Sequence, residues 1–167
     1  MQPDIGSVCR TNLEFMKWAD EIMLAALLKV PSDKASADTG SSFKSMLDTL
    51  NHVYLAELVW FKRIKGENKR LAELESPADA AALAQALTDL HKDWIDWATS
   101  MGPDDWPGPF TYRNNAGGES TMPYWQIVMH VVNHGSYHRG QFATMLRQAG
   151  IVPPATDLII YYRSRAV

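Results

Sequence analysis

The stretch HVVNHGSYHRGQ, residues 130–141, sets a histidine at every fourth position: His130, His134 and His138. Three of the chain's five histidines fall within this one segment. Neutral imidazole is a common metal ligand. Residues four apart on an α-helix lie one turn above another, so two such rings can reach one ion. At 100° per residue, Tyr124, Ile127, Val131, Phe142, Met145 and Ala149 form one apolar stripe. His138 falls near its centre and His134 within its edge, whereas His130 lies on the flank. The pair His134/His138 should therefore point inward. A buried imidazole without partners costs about 1–3 kcal/mol. A structural metal site can release on the order of 10 kcal/mol, so two inward rings point to a bound divalent ion.

Two helical histidines hold a metal poorly, so a third ligand is needed. The candidates are His52 and His91. His91 borders a Leu/Trp stripe beside Lys92 and Asp93, which places it at the solvent boundary. On a straight wheel His52 lies nearly opposite Phe43, Leu50, Tyr54 and Phe61, on a side shared with Leu55 and Val59. Its segment is thus apolar on two sides, and spacing alone leaves open whether His52 faces a site or a second subunit. Asp48, one turn before His52, could orient that ring or be a solvated carboxylate. His-Glu-x-x-His is absent, because Asn133 precedes His134, and so the built-in base of zinc peptidases is missing. No Glu-x-x-His pair suggests a carboxylate-bridged di-iron centre. No catalytic residue can be assigned.

Four helical segments must position these groups. The first, TNLEFMKWADEIMLAALLKV, opens with Thr11 and Glu14 spaced as a capping box and stops near Pro31. The second runs from the serines at 41–42 to Gly66, and the third from Ser76 and Pro77 through Leu83, Leu87, Leu90, Trp94, Trp97 and Met101. The fourth starts near Pro123 and ends at Gly150. Between the last two, WPGPFTYRNNAGGESTMP reads as a short hairpin, with Tyr112 and Asn114 as residues of a lid or specificity loop. Trp60, Trp94, Trp97 and Trp125 read as core. In the histidine segment, Arg139 is expected in a surface ion pair and Gln141 on the site side, bonded to a ligand histidine. Gly135 and Gly140 are expected to permit close helix approach, and Gly135 could also leave room for a ligand.

The fold class expected is all-α, a four-helix bundle forming one domain over residues 1–167. A net charge of -3 with no basic block argues against nucleic acid. No apolar run reaches the roughly 18 residues a membrane helix needs. The opening MQPDIGSVCR lacks a signal-peptide pattern, so a cytoplasmic protein is expected. The lone Cys9 stands apart from any metal-like spacing.

LNHVYLAELVWFKRIKG (50–66), followed by HVVNHGSYHRGQFATMLRQAG (130–150), resembles the DinB family of small metal-binding helical proteins. Trp18, SSFKSMLDTLNH before the first histidine and PATDLIIYY near the end extend the likeness over nearly the whole chain. The resemblance implies an up-down-down-up bundle, frequently a homodimer, with three histidines holding a divalent ion, zinc or nickel foremost, and one coordination position open. Carried over, those ligands are His52, His134 and His138, and the resemblance turns His52 inward. Some relatives are transferases or isomerases that use low-molecular-weight thiols, which implies a small-molecule thiol as partner. Others have no assigned activity, so a non-catalytic, metal-binding stress-response protein is the alternative.

Overall fold

The computed structural model describes residues 4–166, which form six helices and one two-stranded sheet. Helix α1 (Ile5–Leu27) starts at Asp4, whose Oδ1 accepts from the Ser7 amide at 2.7 Å. Thr11 and Glu14 therefore lie inside the helix, because Asp4 already satisfies its first turn. After the short α2 (Ser32–Ala35), Ser45 caps α3 (Met46–Ile64) and takes the Asp48 amide at 3.0 Å. Its hydroxyl also donates to Asp48 Oδ2 at 2.8 Å, so Asp48 serves the cap rather than His52.

Helix α4 (Ala80–Ser100) begins three residues beyond Pro77, where Asp79 Oδ1 accepts from the amides of both Ala81 and Ala82 at 2.9 Å. The hairpin is present as β1 (Pro109–Arg113) and β2 (Glu119–Pro123), antiparallel with Phe110 opposite Met122 and Tyr112 opposite Ser120. With no loop between them, β2 passes into α5 (Tyr124–Gln148), which stops before Gly150 in the left-handed region at φ 78°. A last helix, α6 (Leu158–Arg165), was not legible in the sequence pattern.

The chain is thus mostly helical with a small sheet, which corrects the all-α expectation. Helix α1 packs on α4 and α5, and α3 packs on the same two helices. Two apolar clusters fill the interior. One holds Leu13, Phe15, Trp94, Trp106 and Ile127 near the hairpin; the other holds Met23, Leu27, Leu50, Leu87 and Phe142. Each such side chain contributes roughly 1.5–3 kcal/mol by leaving water. Trp94 is fully buried, and Trp60, Trp97 and Trp125 pack half-buried against the first cluster, as core residues do. Tyr161 ties α6 to α1, its hydroxyl donating to Glu14 Oε2 at 3.1 Å and its ring 5.5 Å from that of Trp18. No described helix is long and apolar enough to cross a membrane.

Gly6 gives the tightest backbone approach. A Cβ there would lie 2.4 Å from Trp106 Nε1, and Trp106 has no room to move because it is wholly buried. Gly6→Ala is expected to cost about 1–3 kcal/mol by overpacking. Urea denaturation followed by tryptophan fluorescence should show the midpoint falling with the slope unchanged.

Candidate metal centre

Helix α5 presents His134 and His138 on one face, and α3 brings His52 against them. His134 Nε2 lies 3.2 Å from His52 Nε2 and 3.1 Å from His138 Nε2. One potential ligand atom from each of the three residues lies within 4.8 Å of the others, so the group could hold an ion. Two nitrogens sharing a tetrahedral ion at about 2.05 Å would be about 3.3 Å apart, so the observed spacing fits such an ion. Phe43, in the loop before α3, stacks on His52 at 4.2 Å between centroids and meets His138 edge-on at 5.3 Å. One wall of the cluster is therefore a hydrocarbon face.

The electrostatics suit a cation. Burial, reinforced by His138, pushes His52 down to about 4. Burial and the neighbouring histidines do the same to His134. Both rings are thus neutral near pH 7, with lone pairs free. Gln141 Oε1 accepts from His138 Nδ1–H at 2.8 Å, a tautomer that in the neutral ring places the lone pair on Nε2, aimed at the other two rings. Three lone pairs converging on one point repel unless a shared proton or cation lies among them. Gln141 is thus bonded to His138 on the site side, as expected.

The other two histidines lie outside this group. His130 sits on the flank, with Trp60 edge-on at 5.3 Å. Trp60 in turn meets Tyr112 at 4.7 Å, which fastens β1 to α3, while Asn114 Oδ1 accepts from the Ala116 and Gly118 amides and shapes the turn.

His91 is 1% exposed, not at the solvent boundary. Its Nε2 lies 3.1 Å from Glu57 Oε2 and 3.4 Å from Asp20 Oδ2. Asp20 Oδ1 also accepts from Arg139 Nη1 at 2.8 Å, and Arg139 is 2% exposed. The surface pair expected for Arg139 is therefore a buried one. Its Nη2 donates to Ser136 Oγ at 2.8 Å, and its guanidinium lies 5.4 Å from the Phe15 ring centre. Four long helices each supply one member: Asp20 from α1, Glu57 from α3, His91 from α4 and Arg139 from α5.

Burial alone would push His91 down, but Glu57 and Asp20 outweigh it and raise the imidazole to about 10. Burial raises Asp20, yet Arg139 and His91 bring it below the ordinary carboxylate range. Burial and the neighbouring Asp20 push Glu57 up to about 7, against the pull of His91 and Arg139. Once Glu57 is ionised, its charge and that of Asp20 cancel those of the imidazolium and the guanidinium. Asp20, Glu57 and His91 also lie close enough together to hold an ion. A divalent cation there beside Arg139 would leave a net positive charge in the interior, so the imidazolium is the better partner.

Asp20 and Glu57 were not singled out from the sequence. The available signal was Asp20 on the 13–16–20–23–27 spacing of buried residues, a carboxylate within an apolar stripe. Gly135 makes room for this network: a Cβ would lie 2.9 Å from Arg139 Nη1. Gly140 makes room for nothing within 4 Å, against expectation. Each glycine costs about 1 kcal/mol relative to alanine inside a helix.

Comparison with known proteins bears on this arrangement. A model of the DinB family matches residues 5–165. The chain is 27% identical over 156 residues to Protein DinB of Bacillus subtilis (strain 168), covering 89% of this chain and 90% of that one. Its fold is similar to the crystal structure of a DinB-like protein from Bacillus cereus ATCC 10987, with a TM-score of 0.65 at 17% identity over 86% of this chain and 94% of the other.

Two outcomes are expected for the buried network. His91→Gln removes the cation between two buried carboxylates and should cost about 3–5 kcal/mol, measured by denaturant unfolding. His91 is raised in the folded state, so its stabilisation is complete below the unfolded value of 6.5 and is lost as pH rises through about 10. Glu57, raised to about 7 from an unfolded value near 4.5, loses stability in the same direction as pH rises, so wild-type unfolding midpoints should fall steadily from about pH 5 to about pH 10.

Proposed function

The chain belongs to the DinB family, and on that premise we propose that it is a divalent-metal protein whose ligands are His52, His134 and His138. The observation that carries this reading is the convergence of three Nε2 atoms, with Gln141 fixing one tautomer. Three neutral nitrogens and one open position form the ligand count of a reactive centre rather than a closed structural one. Imidazole donors suit zinc and nickel, and zinc or nickel is the ion proposed.

The reaction proposed is a metal-dependent transfer that uses a low-molecular-weight thiol. A divalent ion at the triad would supply a thiolate near neutral pH by binding the sulfur. The chain's own part is to hold three unprotonated nitrogens in place, to keep water from one side with Phe43, and to brace His138 through Gln141. The proposed setting is a cytoplasmic homodimer of single-domain chains, each an up-down-down-up bundle of α1, α3, α4 and α5. A non-catalytic stress-response protein, whose ion serves stability alone, is the competing reading. A thiol that perturbs the spectrum of the cobalt-loaded protein favours the first reading; an unchanged spectrum favours the second.

Metal content by mass spectrometry on untagged protein tests the premise. About one divalent ion per chain is expected, lost in His138→Ala. Gln141→Ala should retain the ion with affinity about 10–100-fold weaker. A wild-type protein that takes up neither zinc nor nickel on reloading would overturn the assignment.

A further inference from the structure

Helix α5 borders a cavity on the face away from its histidines. Val132, Ser136 and Gly140 stand two residues off His134 and His138, roughly 200° round the helix and so on its opposite side. There α1, α5 and the segment 153–158 enclose a half-open cavity of about 600 Å³. That volume lies in the usual range for small-molecule sites, about 300–1,000 Å³. Phe15, Met129 and Val132 give it apolar surface, while Ser136, Arg139 and Arg147 give it polar surface. The outer wall contains Pro153 and Pro154, and the helix that follows it is held to α1 by the bond from Tyr161 to Glu14.

Gly140 borders this space. It lacks a positive φ, and a Cβ there would touch nothing within 4 Å. Neither backbone conformation nor packing within the chain accounts for a glycine in mid-helix. Its bare backbone leaves room for an occupant of the cavity. The charges say what kind. Arg139 and Arg147 line the cavity against a single acid, Asp157. The Arg139 guanidinium is committed to Asp20 and Ser136, whereas Arg147 makes no ion pair among the described residues.

We propose that this cavity binds a small amphiphile with one anionic group, its apolar body between Phe15, Met129 and Val132 and its headgroup at Arg147. The site is separate from the histidine triad and does not depend on the metal assignment.

Titration of the full chain with 8-anilinonaphthalene-1-sulfonate, read by fluorescence, tests it. One saturable site is expected, emptied by decanoate but not by decyltrimethylammonium. Gly140→Leu, whose side chain would project into the cavity, should weaken the probe at least tenfold. Arg147→Glu, an exposed change that leaves the interior untouched, should weaken it at least threefold. Both should keep the wild-type circular dichroism, and if Gly140→Leu fails to fold, Arg147→Glu decides alone. Absence of saturable binding, equal displacement by the two detergents, or unchanged affinity in the variants would overturn the proposal. So would a wild-type dimer that binds no probe and that Gly140→Leu splits into monomers, which would make the cavity an interface between two copies.

Discussion

Four charged side chains from four helices meet where water cannot reach them, and the rest of the molecule is arranged around that constraint. Asp20, Glu57, His91 and Arg139 are each no more than 2% exposed. None could be buried alone, because an uncompensated charge in the interior costs several kcal/mol. Together they balance, and the balance holds only if the helices keep one register. Arg139 cannot slide along α5 without leaving Asp20, and His138 is its neighbour in sequence. The same contact that locks α5 against α1 thus sets the height at which α5 presents its histidines to α3. Gly135 belongs to this device, since only a missing side chain lets the guanidinium lie back along its own helix.

The histidine cluster is less regular than a symmetric three-ligand site. Two members share a helix and move as one body; the third comes from α3 and is held by Phe43. The bond from Gln141 gives His138 a fixed ring orientation. His52 has no such fixed acceptor: Phe43 stacks on its ring, and its Nε2 faces His134 Nε2 at 3.2 Å. Aromatic stacking is soft compared with a hydrogen bond to a fixed acceptor, so whatever adjustment the site makes falls mainly on the α3 side.

Much of this was legible in the sequence where local rules suffice. Pro123 and Gly150 bound α5, and the Gly/Asn-rich stretch marks the hairpin. The four-residue spacing put His134 and His138 on one face. The starts of the other helices were harder to read because several cap residues compete. Asp4 displaces Thr11, Ser45 displaces the earlier serines, and Asp79 displaces Ser76, each decided by which oxygen reaches a free amide. The buried charges were misread for a different reason. A helical wheel sends Arg139 and His91 to the surface by default, and their partners stand 119 and 34 positions away. His52 likewise depended on a partner 82 positions distant, which no wheel of its own helix can supply.

Those separations also bear on how the chain reaches its folded state. Helices and the hairpin can form from neighbouring residues in microseconds. The charged quartet cannot assemble until segments from both ends of the chain have arrived. A compact intermediate with only three helices in place would have to desolvate a carboxylate or guanidinium with no counter-ion. Such states are penalised, while the unfolded chain, whose charges stay hydrated, is not. The quartet therefore acts as a checkpoint against partial collapse, trading folding speed for an all-or-none transition.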